Sequence, residues 1–160
     1  MANPTTLFGF VYKYRMSGAP VPPLVDIKCG TSATFASGDP LAPNAYGYYA
    51  VIGSAAIVPH YIAVEDAAAV DAATVKKAIP ILHDQVWEAR CTGTPTQAMV
   101  GTVVDIEGST GVFGVNENAS SNDTVRILDL AEGNESNTWG AYAKVLVSFN
   151  KTAFAGGLSA

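Results

Sequence analysis

Apolar side chains recur at every second residue along much of this chain, and a period of two belongs to β-strands rather than helices. Phe8, Phe10, Tyr12 and Tyr14 alternate with Gly9, Val11, Lys13 and Arg15, which places aromatics on one face and two cations on the other. Near the opposite end, Ala141, Ala143, Val145, Val147 and Phe149 form one apolar face of a strand within Trp139–Phe149. Between these lie short runs with strand character: Leu24–Cys29, Thr31–Phe35, Tyr46–Ile52, Ile57–Val64, Gln85–Cys91, Val100–Ile106, Val112–Val115 and Val125–Leu130. Gly, Pro, Ser and Asp punctuate them, and Gly108-Ser109-Thr110-Gly111 joins two of them as a hairpin. Many short strands with turns between them predict a mainly β barrel or sandwich with at most one short helix. A chain of 160 residues buries roughly 70% of its unfolded surface, so it needs no metal or disulfide to fold.

Asp66–Ala78 supports two readings. Its alanines, an acid at its start and Lys76–Lys77 near its end suit a helix. The same residues suit a hairpin tip leading into a strand over Val75–Leu82, and Pro80 stops a helix in either case.

Charge narrows the partners. The chain carries 9 Lys and Arg against 14 Asp and Glu, a formal net charge of −5. Asp105 to Glu135 holds seven acids and the single base Arg126, a stretch that repels phosphate. Nucleic acid is therefore not an expected partner, because duplex binders present a basic stripe. No apolar run approaches the 18 residues of a membrane span, so no membrane partner is expected. The first residues lack a basic region followed by an apolar run, which suggests a protein made in the cytoplasm with no visible export signal. Cys29 and Cys91, 62 positions apart, allow a disulfide, with two buried thiols as the simpler reading. Two cysteines with His60 and His83 build no metal framework, so neither metal nor cofactor is expected.

Catalytic groupings are equally thin. There is no nucleophile elbow, no dinucleotide fingerprint and no phosphate loop. Ser54 reads as a turn serine and His83-Asp84 as a capped turn. Glu65 and Asp66 would face opposite sides of a strand. Asp105 and Glu107 would share a face, with a solvated polar surface as the simpler reading. These patterns predict no enzyme.

What the composition does predict is a partner surface. Only 14% of residues are charged, against about 25% in an average soluble domain, while 49% are apolar. The aromatic strand at Phe8–Tyr14 is followed by Ser17-Gly18-Ala19-Pro20 and by Val21-Pro22-Pro23, which enforces an extended, poorly hydrogen-bonded stretch. The strand is either part of the core or part of an arm that buries its aromatics in a neighbour. On the second reading residues 1–23 are an extended arm and residues 24–160 a β-rich body. Phe8, Phe10, Tyr12, Tyr14, Arg15, Pro22 and Pro23 are then the candidate contacts. The strand Ala141–Phe149 offers a second face for self-association. A different class of function, a carbohydrate- or cell-surface-binding fibre or tail module, would use exposed aromatics from among Trp87, Trp139, Tyr46, Tyr48 and Tyr49.

Several short motifs then occur in a telling order. After Ser17-Gly18-Ala19-Pro20 come Thr34-Phe35, Gly38-Asp39-Pro40-Leu41, Ala78-Ile79-Pro80-Ile81 and Gln85-Val86-Trp87-Glu88-Ala89. Gln97-Ala98-Met99-Val100-Gly101, Val125-Arg126-Ile127-Leu128 and Val145-Leu146-Val147-Ser148-Phe149 complete the series. From about Leu7 to Phe154 the chain resembles the small head proteins of tailed bacteriophages, of the capsid decoration or cement type. That resemblance implies a barrel- or tulip-like β body on the outer surface of the virion capsid. It also implies the major capsid protein as partner, a homotrimer at local three-fold positions, and an arm laid over neighbouring shell subunits. Asp66–Ala78 matches no feature of that family.

Overall fold

The computed structural model describes residues 2–22, 24–132 and 136–154. These residues form thirteen strands, numbered in chain order, and one short 3-10 turn at Gln97–Met99. The protein is thus almost entirely β, and all its strand pairs within the sheets are antiparallel.

The largest sheet has six strands. In spatial order they are β1 (Val11–Arg15), β9 (Gln85–Arg90), β13 (Lys144–Phe149), β12 (Val125–Leu130), β10 (Val103–Glu107) and β11 (Gly114–Asn116). The predicted hairpin is β10–β11, with Ile106 opposite Val115. A second sheet has five strands: β2 (Val25–Lys28), β8 (Val75–Pro80), β6 (Tyr61–Ala63), β4 (Pro40–Pro43) and β5 (Tyr49–Val51). A third is the pair β3 (Ala33–Phe35) and β7 (Ala67–Val70).

The strand pleat explains how these sheets stack. Ile62 and Ile79 project into a large core with Trp87, Ile106, Ile127, Val145, Val147 and Phe149 of the six-stranded sheet. Their neighbours Ala63 and Ala78 project the other way, into a smaller core with Ile27, Leu41 and Phe35. The five-stranded sheet is therefore a middle layer with two apolar faces. In β13 the predicted face holds from Ala143 onward: Ala143, Val145, Val147 and Phe149 are all buried. β13 lies between β9 and β12, with both edges hydrogen-bonded. It is consequently not available to a second copy of the chain, which corrects the expectation of self-association through this strand.

Both large sheets roll without becoming closed barrels. In the six-stranded sheet, an isolated bridge joins Cys91, just past β9, to Val115 of β11. In the five-stranded sheet, a matching bridge joins Cys29, just past β2, to Tyr49 of β5. The two cysteines are free and buried, one in each core, as expected from the sequence. Burial pushes both thiols above their ordinary ionisation range.

The ambiguous Asp66–Ala78 segment is extended: β7 pairs with β3 and β8 pairs with β2 and β6, so neither the helix nor a hairpin of the two strands forms. Ala69 (φ 48°) and Ala73 (φ 64°) occupy the left-handed region, which no α-helix contains. Asp66 does act as a cap, but for a loop: its carboxylate accepts the Ser37 N–H at 2.8 Å.

Candidate functional site

The amino-terminal segment expected as an arm lies along the body of its own chain. Asn3 starts the path. Its amide donates to the carbonyls of Thr138 and Ala141 at 2.9 and 3.0 Å and accepts the Thr138 N–H at 3.2 Å. Arg90, only 3% exposed, then holds the next turn of chain. Its Nε donates to the Thr6 carbonyl at 3.0 Å, and its guanidinium lies 5.5 Å above the Phe8 ring.

Two glycines decide how the segment crosses the fold. Gly9 (φ 79°) approaches the Gly38-Asp39-Pro40 turn so closely that a Cβ would lie 2.5 Å from the Gly38 carbonyl oxygen. The close approach lets the Phe10 N–H donate to that oxygen at 3.0 Å. Asp39 locks the same turn from within. It is fully buried, and its carboxylate accepts from Ala36 at 2.9 Å and from Gly111 at 3.0 Å. The Gly-Asp-Pro motif is thus a junction where the first strand, the β3–β4 turn and the β10–β11 loop meet.

Beyond this crossing the four aromatics part company. Phe10 enters the large core, its ring 5.2 Å from that of Phe149. Tyr12 packs edge-on against Trp87 at 5.4 Å. β1 then carries a bulge. Tyr12 lies opposite Trp87 and Tyr14 opposite Val86, so Lys13 is an extra residue in the ladder. The extra residue reverses the pleat, and Tyr14 emerges 51% exposed. The expected single aromatic face is corrected accordingly: Phe10 and Tyr12 serve the interior, and Tyr14 faces solvent. Phe8 is half-buried beneath Arg90.

Arg15 ends the strand by pairing with Asp84 at 2.9 Å, and Ser17 donates to the same carboxylate at 2.5 Å. Burial alone would raise the Asp84 ionisation range, but these two hydrogen bonds and the Arg15 charge outweigh it and hold the carboxyl below its usual range. Pro22 is buried, and Pro23 lies outside the described residues. Arg15 and Pro22 therefore serve to anchor the segment, and Tyr14 is the candidate contact that stays open to a partner.

Along the same stretch of chain the structure leaves exposed further apolar residues that alternation did not single out. Val11 (44% exposed), Met16 (55%), Val21 (66%) and Leu24 (52%) accompany Tyr14. With Tyr14 they make up five of the ten large apolar side chains left exposed among the described residues, all within residues 11–24. Met16, Val21 and Leu24 fall between β1 and β2, outside any strand. That mismatch of residue type and local structure was their sequence signal.

The groups weighed for chemistry are engaged elsewhere. Buried Asp105 accepts the N–H groups of Asn122 and Asp123 at 2.8 and 2.9 Å. Glu107 accepts from the Asn116 amide, and Glu65 accepts the Lys77 N–H. His83 Nδ1 lies 3.0 Å from the Phe149 carbonyl oxygen. His60 stacks between Tyr49 and Phe154, at 6.1 and 5.9 Å, and burial holds its ionisation below the ordinary histidine range. Among the described residues no three His, Cys, Asp or Glu side chains converge as metal ligands, and no helix is long and apolar enough to cross a membrane. Of the aromatics considered for sugar stacking, Trp87 is fully buried, Trp139 is half-buried and Tyr46 is 86% exposed in the β4–β5 turn.

Comparison with known proteins finds no matching family model, no matching curated protein and no matching solved structure.

Proposed function

We propose that this protein is a structural component of a phage virion that binds the outside of the expanded capsid and bridges its subunits. The observation that carries this reading is the exposed apolar run of Val11, Tyr14, Met16, Val21 and Leu24. A monomer gains nothing by presenting these side chains to water, whereas a shell surface or a second copy would bury them. The motif order resembling decoration proteins supports the same reading, as does the engagement of the titratable groups in clamps and turns. The role is structural rather than chemical. The net charge of −5 suits an outward face kept apart from a polyanionic genome.

The mechanism is linkage. A protein that binds the expanded shell and not its precursor stabilises the former by RT ln(1 + [L]/Kd) per site. A homotrimer multiplies that effect, because three tethered contacts act at high effective concentration. The exposed run lies on the edge strand β1 and its continuation, so it can contact the shell and a neighbouring copy without opening the cores.

The test replaces Tyr14, Met16, Val21 and Leu24 together by Ser, which leaves Phe10 and Tyr12 in place. Wild-type protein should co-sediment with expanded, genome-free heads of the encoding phage, and the variant should bind at least about tenfold more weakly. Light scattering should give a wild-type species near three times 16.6 kDa. Undiminished binding by the folded variant would remove the basis of the proposal.

A further inference from the structure

A second feature stands apart from the exposed run. The first residues of the chain and the loop before β13 enclose an open groove of about 400 Å³. It is lined by Asn3 and Thr5 from the amino-terminal segment and by Thr138, Trp139, Gly140 and Tyr142 from that loop. We propose that this groove is a binding site for a neutral oligosaccharide, with Trp139 as its stacking platform.

Four observations converge on that ligand class. Trp139 is held rigidly: its indole Nε1 donates to Gln97 Oε1 at 2.7 Å, while the ring packs against the large core. A fixed aromatic anchor loses little freedom on binding, and its negative π-face suits the C–H face of a sugar ring. Tyr142 is held in the left-handed region (φ 57°), a conformation that bulky side chains rarely adopt. Two hydrogen bonds fix it there, from Tyr142 N–H to the Gly93 carbonyl at 2.8 Å and from Arg90 to the Tyr142 carbonyl at 2.9 Å. Such residues cluster at ligand clamps.

The polar inventory fits as well. The hydroxyls of Thr5, Thr138 and Tyr142 make no hydrogen bond among the described residues, so they are available to sugar hydroxyls. Among the described residues none of those lining the groove is charged, which disfavours phosphate and sulfated or acidic sugars. The volume falls within the roughly 300–1,000 Å³ range of small-molecule sites.

The test uses the isolated full chain, so its outcome is independent of shell binding. Cellotetraose, maltotetraose and tri-N-acetylchitotriose are titrated by calorimetry. At least one should bind with Kd below about 1 mM. Trp139→Ala and Tyr142→Gly should each weaken binding by about tenfold or more, and glycine accepts the left-handed backbone, so the second variant keeps the fold. Intrinsic fluorescence gives a second readout, since Trp87 is fully buried and Trp139 lies at the groove. The proposal is overturned if all three sugars give no saturable signal at about 10 mM, or if the folded Tyr142→Gly variant binds as the wild type does.

Discussion

The two cores solve the same problem with different materials. The large one, between the six-stranded and five-stranded sheets, is filled with bulk: Trp87, Phe10, Phe113, Phe149 and a layer of Ile and Val. The smaller one, on the far side of the middle sheet, is built around Ala33, Ala63, Ala67 and Ala78, with Phe35 and Leu41 as its largest members. Bulk fills wide space between broad sheets. Small side chains let the two-stranded β3–β7 unit sit close to the middle sheet. The first core should therefore suffer most from loss of volume and the second from gain of it.

That contrast can be pressed from both sides. Trp87→Ala should cost about 3–5 kcal/mol in urea unfolding, the largest effect expected of any single truncation here. Trp87 sits at the meeting of Tyr12 and Phe149, and its Nε1 makes no hydrogen bond among the described residues, so packing alone accounts for the loss. Ala78→Leu should cost about 1–3 kcal/mol through overpacking of the smaller core. A neutral Ala78→Leu would mean that the smaller core has room to spare, and the contrast would fail.

The smallest effect concerns the aromatic cluster on the smaller core's flank. Burial keeps His60 neutral in the fold, so the unfolded chain takes up the proton first. Stability should therefore fall as pH drops from 6.5 through the folded-state value of His60. His60→Gln should remove that part of the slope while leaving unfolding at higher pH little changed. An unaltered pH slope in the variant would show that His60 does not couple to the cluster.

Much of the larger core was legible in the sequence, because runs of apolar residues mark its strands and Ala143, Val145, Val147 and Phe149 keep a period of two. Val125–Leu130 appears in the structure with its predicted limits, and Gln85–Cys91 extends only one residue past β9. The smaller core was harder. β4 begins and ends in proline, which reads as a break, yet only its interior residues must supply ladder donors. β7 is three alanines and a valine, and alanine favours helix until the left-handed turns at Ala69 and Ala73 exclude one. The exposed run was half visible. Alternation marked Tyr14, but a bulge cannot be seen in a one-dimensional pattern, and the bulge at Lys13 is what separates Tyr14 from Phe10 and Tyr12. The groove beside Trp139 depends on Asn3 meeting residues about 135 positions away, a proximity that no local pattern encodes.

That last contact has a consequence for the order of events in the cell. β1 pairs with β9, β9 pairs with β13, and Asn3 ties the beginning of the chain to the loop just before β13. A nascent chain still attached to the ribosome cannot complete this arrangement until its final strand has emerged, and such long-range closure is slow. Until then Phe10 and Tyr12 stay sticky and unsheltered, so the emergence of β13 is also the step that lets them be covered.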